Sequence, residues 1–251
     1  MFESNILLVL ILLPLLGAIT ILFIKDTNTK LIRNVALSFS MTAFVFSTFL
    51  WVLFDRSTAK FQFVEEFLWI PSSNINFFIG VDGISLFFII LTTLLIPLCI
   101  LASWDSVKIY MKEYMIAFLV MESLLIVVFT ILDLILFYVF FEAILIPMFL
   151  IIGVWGSRER RIRAAYMLFF YTLIGSVLML LAILAIYSIT GTTDYQILLV
   201  TPIDESLQKI FWIAFLIRQA EINNDSFITT VPYFSHNNIL RKWNIMSLHF
   251  K

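Results

Sequence analysis

The chain has 251 residues, of which 62% are apolar and only 13% charged, and its formal net charge is −1; the mean hydropathy is +1.04. A soluble globular domain runs nearer half apolar and a quarter charged, so this composition excludes one and indicates a polytopic membrane protein. A single cysteine excludes an intrachain disulfide framework and a multi-cysteine metal site.

Apolar blocks long enough to span fall at 4–24, 31–54, 84–104, 113–132, 134–154 and 165–189, each close to the ~20 residues a crossing needs. Each reads as a helix, because a helix satisfies its own backbone in lipid. The first block is too long for a signal core and lacks a basic start, so no cleavable signal is expected. Cys99, inside the third block, reads as a small buried hydrophobe.

Between the second and third helices, "FQFVEEFLWI" and "NINFFIGV" flank "PSSN". Their alternation and aromatic content predict a short β-hairpin on the outer surface. Asp82 in "GVDGIS" is placed to cap the third helix. Residues 113–154 as one helix would be about 63 Å long, twice the hydrocarbon thickness. The block therefore folds back at Asp133, the only charge between Glu122 and Glu142.

A seventh apolar block, 210–217, is too short to cross, and the tail 218–251 has no sustained apolar period. His236 and His249 lie there without clustered ligands, so no metal site is expected. The fold expected is an all-α polytopic membrane protein with about six transmembrane helices, a truncated seventh and the outer hairpin. Residues 1–217 form its transmembrane domain and 218–251 an unrelated, disordered tail.

With six spans, one side carries Lys25, Lys30, Arg33, Lys108, Lys112, Arg158, Arg160, Arg161 and Arg163, and the other only Arg56, Lys60 and Lys209. The positive-inside rule puts the first set on the matrix or cytoplasmic side, with the amino terminus outside. The arginine run "WGSRERRIRAAY" then reads as a topological anchor; it is too short and too close to the membrane for nucleic acid.

Three acids carry the candidate chemistry. Glu122 and Glu142 each sit about 13–17 Å from the turn at Asp133, so both lie near the midplane on adjacent helices. Spacing allows the two to approach each other without fixing whether they face. An ionised carboxylate there costs at least ~2.5–3.5 kcal/mol, so an acid that holds a proton and releases it to an approaching cation suits a relay. The bland reading is a neutral acid hydrogen-bonded to a neighbouring helix; it weighs equally for Glu122. Glu142 leans to function because Pro147 frees the carbonyl of Ala143 beside it, as Pro97 frees that of Thr93 in the third helix. No phosphate loop, haem or iron–sulfur spacing, or nucleophile with a base is present, so no redox or hydrolytic chemistry is expected of the chain itself.

"GVDGISLFFIILTTLLIPLCILASW", "KEYMIAFLVMESLLIVVFTILDLILFYVFFEAILIPMFLIIGVWGSRERRIRAAY" and "GTTDYQILL" closely resemble subunit 4 of mitochondrial NADH:ubiquinone oxidoreductase. That family supplies a core membrane subunit of respiratory complex I and is related to cation/proton antiporter subunits. The resemblance runs from about residue 1 to Leu216. It implies a proton-translocating subunit of the mitochondrial inner membrane, with other membrane-arm subunits as partners. NADH, FMN, iron–sulfur clusters and ubiquinone would be bound by those other subunits. The family's fifth-helix glutamate falls on Glu142 and a second carboxylate on Asp133, while the Glu122 position is more variable.

The family's seventh-helix lysine falls on Ile222, in "RQAEINNDSF", which bears no resemblance. The chain therefore reads as the first half of that subunit joined to unrelated residues, as an unspliced intron or a frame disruption would produce. Such a form is not expected to pump alone. The rival readings are a subunit of an independent cation/proton antiporter and a non-functional translation product.

Overall fold

The computed structural model describes residues 5–58, 60–70, 75–156, 161–204 and 206–214. Among the described residues the bounded helices are α1 (Ile6–Leu22), α2 (Thr29–Leu53), α3 (Gly83–Ala102), α4 (Met111–Thr130), α5 (Leu134–Trp155), α6 (Arg161–Thr190) and α7 (Tyr195–Val200), and the strands are β1 (Gln62–Ile70) and β2 (Ile75–Val81). Among the described residues, α2 to α6 are long and apolar enough to cross a membrane. The 17 residues of α1 span about 26 Å, at the short end of what a crossing needs. Residues 206–214 are helical where the seventh apolar block was expected. The tail 218–251 and the hairpin tip 71–74 lie outside the described residues.

A helix lies at each of the six expected blocks, with shifted ends. α6 starts four residues before its apolar block, inside the arginine run, and reaches 30 residues. Arg161 donates from Nη1 to the Gly156 carbonyl at 3.2 Å across the start of that helix. After it, Gly191 at φ +72° occupies the left-handed region that glycine adopts without strain and turns the chain into α7. That short helix, capped by Asp194 on the N–H of Gln196 at 2.8 Å, was not foreseen as a separate element.

Helix α4 is the hub, packed by α1, α2, α3 and α5, while α6 packs on α5. Lipid is as apolar as leucine, so these contacts rest on close packing and on hydrogen bonds between helices. The buried face of α2 shows the device: Ala36, Ser40, Ala43 and Ser47 are small residues at helical spacing. Gly17 of α1 lies so close to α2 that an added Cβ would stand 2.7 Å from the Cβ of Phe39. On α4, Ser123 donates to the Ile11 carbonyl of α1 at 2.7 Å.

The hairpin pairs β1 with β2 antiparallel, with Glu65 opposite Ile79 and Phe67 opposite Phe77. A bulge near its start coincides with Phe63 at φ 53°. The sheet lies over the bundle end that holds the starts of α1, α3 and α5. There Glu65 Oε1 accepts from the N–H of Leu7 at 3.2 Å, and the Phe78 carbonyl accepts from the N–H of Leu132 at 2.8 Å. At the opposite end Lys112 bridges the Ile24 carbonyl and Asp26, at 2.9 and 3.0 Å. Arg33 stacks over Trp104 at 5.6 Å, and Trp155 donates to the Ile109 carbonyl at 2.8 Å.

Candidate functional site

The candidate site is a set of acids that the bundle removes from water. Glu122 is fully buried, and neither of its oxygens has a hydrogen-bond partner. Glu142 is half-buried, with Oε1 buried and unpartnered. No hydrogen bond therefore joins the two acids through these atoms.

Their directions follow from ring and backbone contacts at about 100° per residue. On α4, Phe129 is seven positions on from Glu122 and points within about 20° of it; it meets Phe88 of α3 at 5.7 Å. Ser123, on α1, lies about 100° to one side, and Tyr114 about 80° to the other; Tyr114 meets Trp155 of α5 at 5.1 Å. Glu122 thus faces α3, between α1 and α5.

On α5, Glu142, Phe149 and Gly153 form one stripe within about 40°. Phe149 meets Tyr166 and Phe169 of α6 at 5.4 and 5.9 Å, and Gly153 approaches Ala165. Trp155, which meets α4, points about 140° away from Glu142. Glu142 thus faces α6, and the two acids on adjacent helices are aimed apart. Counting back along α5 from the Phe149–Phe169 contact, and forward along antiparallel α6, brings Glu142 level with Ser176, a buried hydroxyl. Sequence spacing gave no sign of Ser176. Beside the acid's stripe, Val139, Ile146 and Leu150 are exposed, so α6 covers only one flank.

Asp133 occupies the turn between α4 and α5, as its charge suggested, but it is buried. Its Oδ1 accepts from the N–H of Leu136 at 3.0 Å, capping α5, and the Thr193 hydroxyl donates to Oδ2. The N–H of Leu134 donates to the Thr193 carbonyl at 3.0 Å, and that of Tyr195 to the Leu132 carbonyl at 2.8 Å. Burial pushes the Asp133 carboxyl up from its ordinary value. The Thr193 hydroxyl and the N–H groups of Leu136 and Ile135 pull it back, and Asp194 across the bridge pushes it up further. Both oxygens are thus engaged in tying the turn together, and Thr193 is a partner the sequence did not signal.

Glu65 is a third buried acid among the described residues, which the sequence reading passed over. It is 5% exposed, with Oε1 on Leu7 and Oε2 unpartnered. Burial pushes its carboxyl up, against the downward pull of the N–H groups of Leu7 and Leu8. Its place opposite the fully buried Ile79 puts Glu65 on the inner face of the hairpin.

Asp82 caps α3 as expected, accepting from the N–H of Ser85 at 2.9 Å and from its hydroxyl. Helices α3 and α5 run unbroken through Pro97 and Pro147, and α1 contains a third internal proline, Pro14.

Two family profiles match adjoining parts of the chain: "NADH-ubiquinone oxidoreductase chain 4, amino terminus" over residues 8–132, and "NADH:quinone oxidoreductase/Mrp antiporter, TM" over residues 132–222. NADH-ubiquinone oxidoreductase chain 4 of Arabidopsis thaliana is 61% identical over 206 residues, covering 82% of this chain and 42% of that protein. The chain 4 of Metridium senile is 46% identical over 224 residues, 87% of this chain and 45% of that protein. The chain belongs to the NADH-ubiquinone oxidoreductase chain 4 family.

It spans less than half the length of these chain 4 relatives. The fold agrees with the family. A chain of respiratory complex I from Thermus thermophilus superposes with a TM-score of 0.74 at 25% identity, over 85% of this chain and 43% of that one. The fold is also that of a chain of an archaeal membrane-bound sulfane sulfur reductase, with a TM-score of 0.67 at 17% identity, over 87% of this chain and 34% of that one. The helical, multi-pass architecture with its small two-stranded sheet is thus that of complex I membrane subunits. The two profiles meet at residue 132, beside Asp133, so the chain 4 amino-terminal part here comprises α1 to α4 with the hairpin.

Proposed function

We propose that this chain forms the amino-terminal half of a proton-translocating membrane subunit of NADH:ubiquinone oxidoreductase, in which Glu142 relays protons. One observation carries the reading: Glu142 is the acid on the α6-facing stripe, level with Ser176, with an unpartnered oxygen and an open apolar flank. A cation approaching on that flank favours loss of the Glu142 proton, and its withdrawal favours recapture. Ser176 supplies a hydroxyl that can hold the leaving proton's water path. Pro147 adds a carbonyl without its helical donor one residue from the acid, at Ala143. Asp133 and Glu122 are the further relay candidates. Asp133 is the one nearer the hairpin end of the bundle, through the turn it ties to Thr193.

In the assembly, quinone reduction elsewhere drives the movement of the cation, and NADH, FMN, iron–sulfur clusters and ubiquinone belong to other subunits. The partners are the other membrane-arm subunits in the mitochondrial inner membrane. The uneven distribution of Lys and Arg supports an amino terminus on the intermembrane-space side. A second reading, a subunit of a cation/proton antiporter, is favoured by the description of the profile over residues 132–222.

Affinity isolation of the chain from its native membranes separates the two. The proposal expects an assembly that oxidises NADH and reduces a quinone. Isolation with cation/proton exchange activity and no NADH oxidation would replace it with the antiporter.

A further inference from the structure

Of the three Lys and Arg residues that the sequence assigns to the hairpin side, two sit together. Arg56 follows the end of α2 at Leu53, and Lys60 precedes the start of β1 at Gln62. Both line a cleft of about 460 Å³ between the end of α2 and the start of α3, with Trp51 of α2 and Phe87 of α3 as apolar walls. Topology does not account for these charges, because the positive-inside rule favours the opposite side. Tryptophan beside cations at a helix end is the pattern of headgroup depth.

The polar lining of the cleft can donate to an anion. Among the described residues no carboxylate forms an ion pair with Arg56 or Lys60. The flanking acids turn to their own neighbours: Asp55 accepts from the N–H and the hydroxyl of Ser57, each at 2.9 Å, and Asp82 from those of Ser85. Arg56 lies over the Trp51 ring at 5.6 Å, a contact that anchors the guanidinium and leaves its N–H groups available. The Thr58 hydroxyl, also in the lining, accepts from the Gln62 amide at 3.2 Å, so its own hydrogen can be donated. Gly83 keeps the start of α3 open, since an added Cβ there meets nothing within 4 Å. An apolar track leads away from these donors. Phe87, Leu94 and Leu98 are exposed on α3 and lie within about 40° of one another over about 16 Å of helix.

We propose that the α2–α3 cleft binds an anionic phospholipid, with its phosphate held by Arg56 and Lys60 and an acyl chain along Phe87, Leu94 and Leu98. Arginine matches phosphate oxygens in a fork, and lysine adds a point charge. A soluble anion would leave the apolar track unused. A headgroup that carries its own ammonium would meet two cations with no net charge to offset them. The site does not depend on the relay role of Glu142, so either can fail without the other.

The test is tryptophan fluorescence of the full chain in phosphatidylcholine nanodiscs, with phosphatidylglycerol whose acyl chains carry bromine added at rising mole fraction. The part of the quenching that disappears in Trp51→Phe reports on this cleft. Each Lys or Arg near an anionic headgroup is worth about a fivefold preference. Half-quenching of Trp51 should therefore come at a mole fraction about fivefold lower with brominated phosphatidylglycerol than with brominated phosphatidylcholine. Replacing both exposed cations, Arg56→Gln with Lys60→Gln, should remove that preference, whereas Lys209→Gln, at the third cation of that side, should keep it. Equal quenching by the two lipids in the unaltered chain overturns the proposal. Equal loss with Lys209→Gln means a general surface charge and overturns the site. Relief of the quenching by millimolar inorganic phosphate gives the cleft to a soluble phosphate and overturns the lipid.

Discussion

At the scale of single residues, two acids outside the spans lend themselves to direct tests. The Glu65 carboxyl is pushed above its ordinary value by burial. Between the ordinary and the raised values the folded chain binds more protons than the unfolded one, so stability falls as pH rises through that window. Thermal unfolding in detergent should show this slope above the ordinary glutamate range, and Glu65→Gln should flatten it. An unchanged slope would remove Glu65 as its source. Asp133→Ala loses the cap on Leu136 and strands the Thr193 hydroxyl, at a cost of about 1–3 kcal/mol in unfolding. Asp133→Asn keeps an acceptor and should lose less.

What the sequence revealed about these residues depended on how local their partners are. The Asp82 cap was legible because its partner, Ser85, is three residues away. The Asp133 bond to Thr193 crosses 60 positions, and no spacing rule reaches that far. The rotation of Glu122 and Glu142 was hidden for another reason. In lipid both the packed and the exposed faces of a helix are apolar, so α4 and α5 carry no stripe to read. Only the contacts of Phe129 and Phe149 with neighbouring helices turn the two acids away from each other.

At the scale of elements, the places of the apolar helices and of the hairpin were legible from block length and alternation, while helix ends were not. α6 extends back through arginine because the helix continues past the apolar block. Close packing makes the next prediction. Gly17→Ala forces a Cβ into Phe39 and should cost about 1–3 kcal/mol, measured by unfolding in mixed micelles. Gly83→Ala, whose added Cβ meets nothing within 4 Å, is the matched control and should cost nothing. Equal effects would mean that the α1–α2 contact is looser than its geometry.

At the scale of the whole molecule, α4 holds Glu122 inside the bundle, while Glu142 lies on the stripe of α5 that faces α6. Of the most apolar stretch of α4, 78% is inside the bundle, against 28–44% for α2, α3, α5 and α6. The account puts proton transfer on the α5–α6 side. The measurement that tests it most directly is proton uptake per NADH oxidised, in vesicles carrying the assembled complex with Glu142→Gln in this subunit. The account predicts an intact assembly that still oxidises NADH but moves markedly fewer protons, with Glu142→Asp restoring part of the loss. Unchanged proton movement with Glu142→Gln would contradict it.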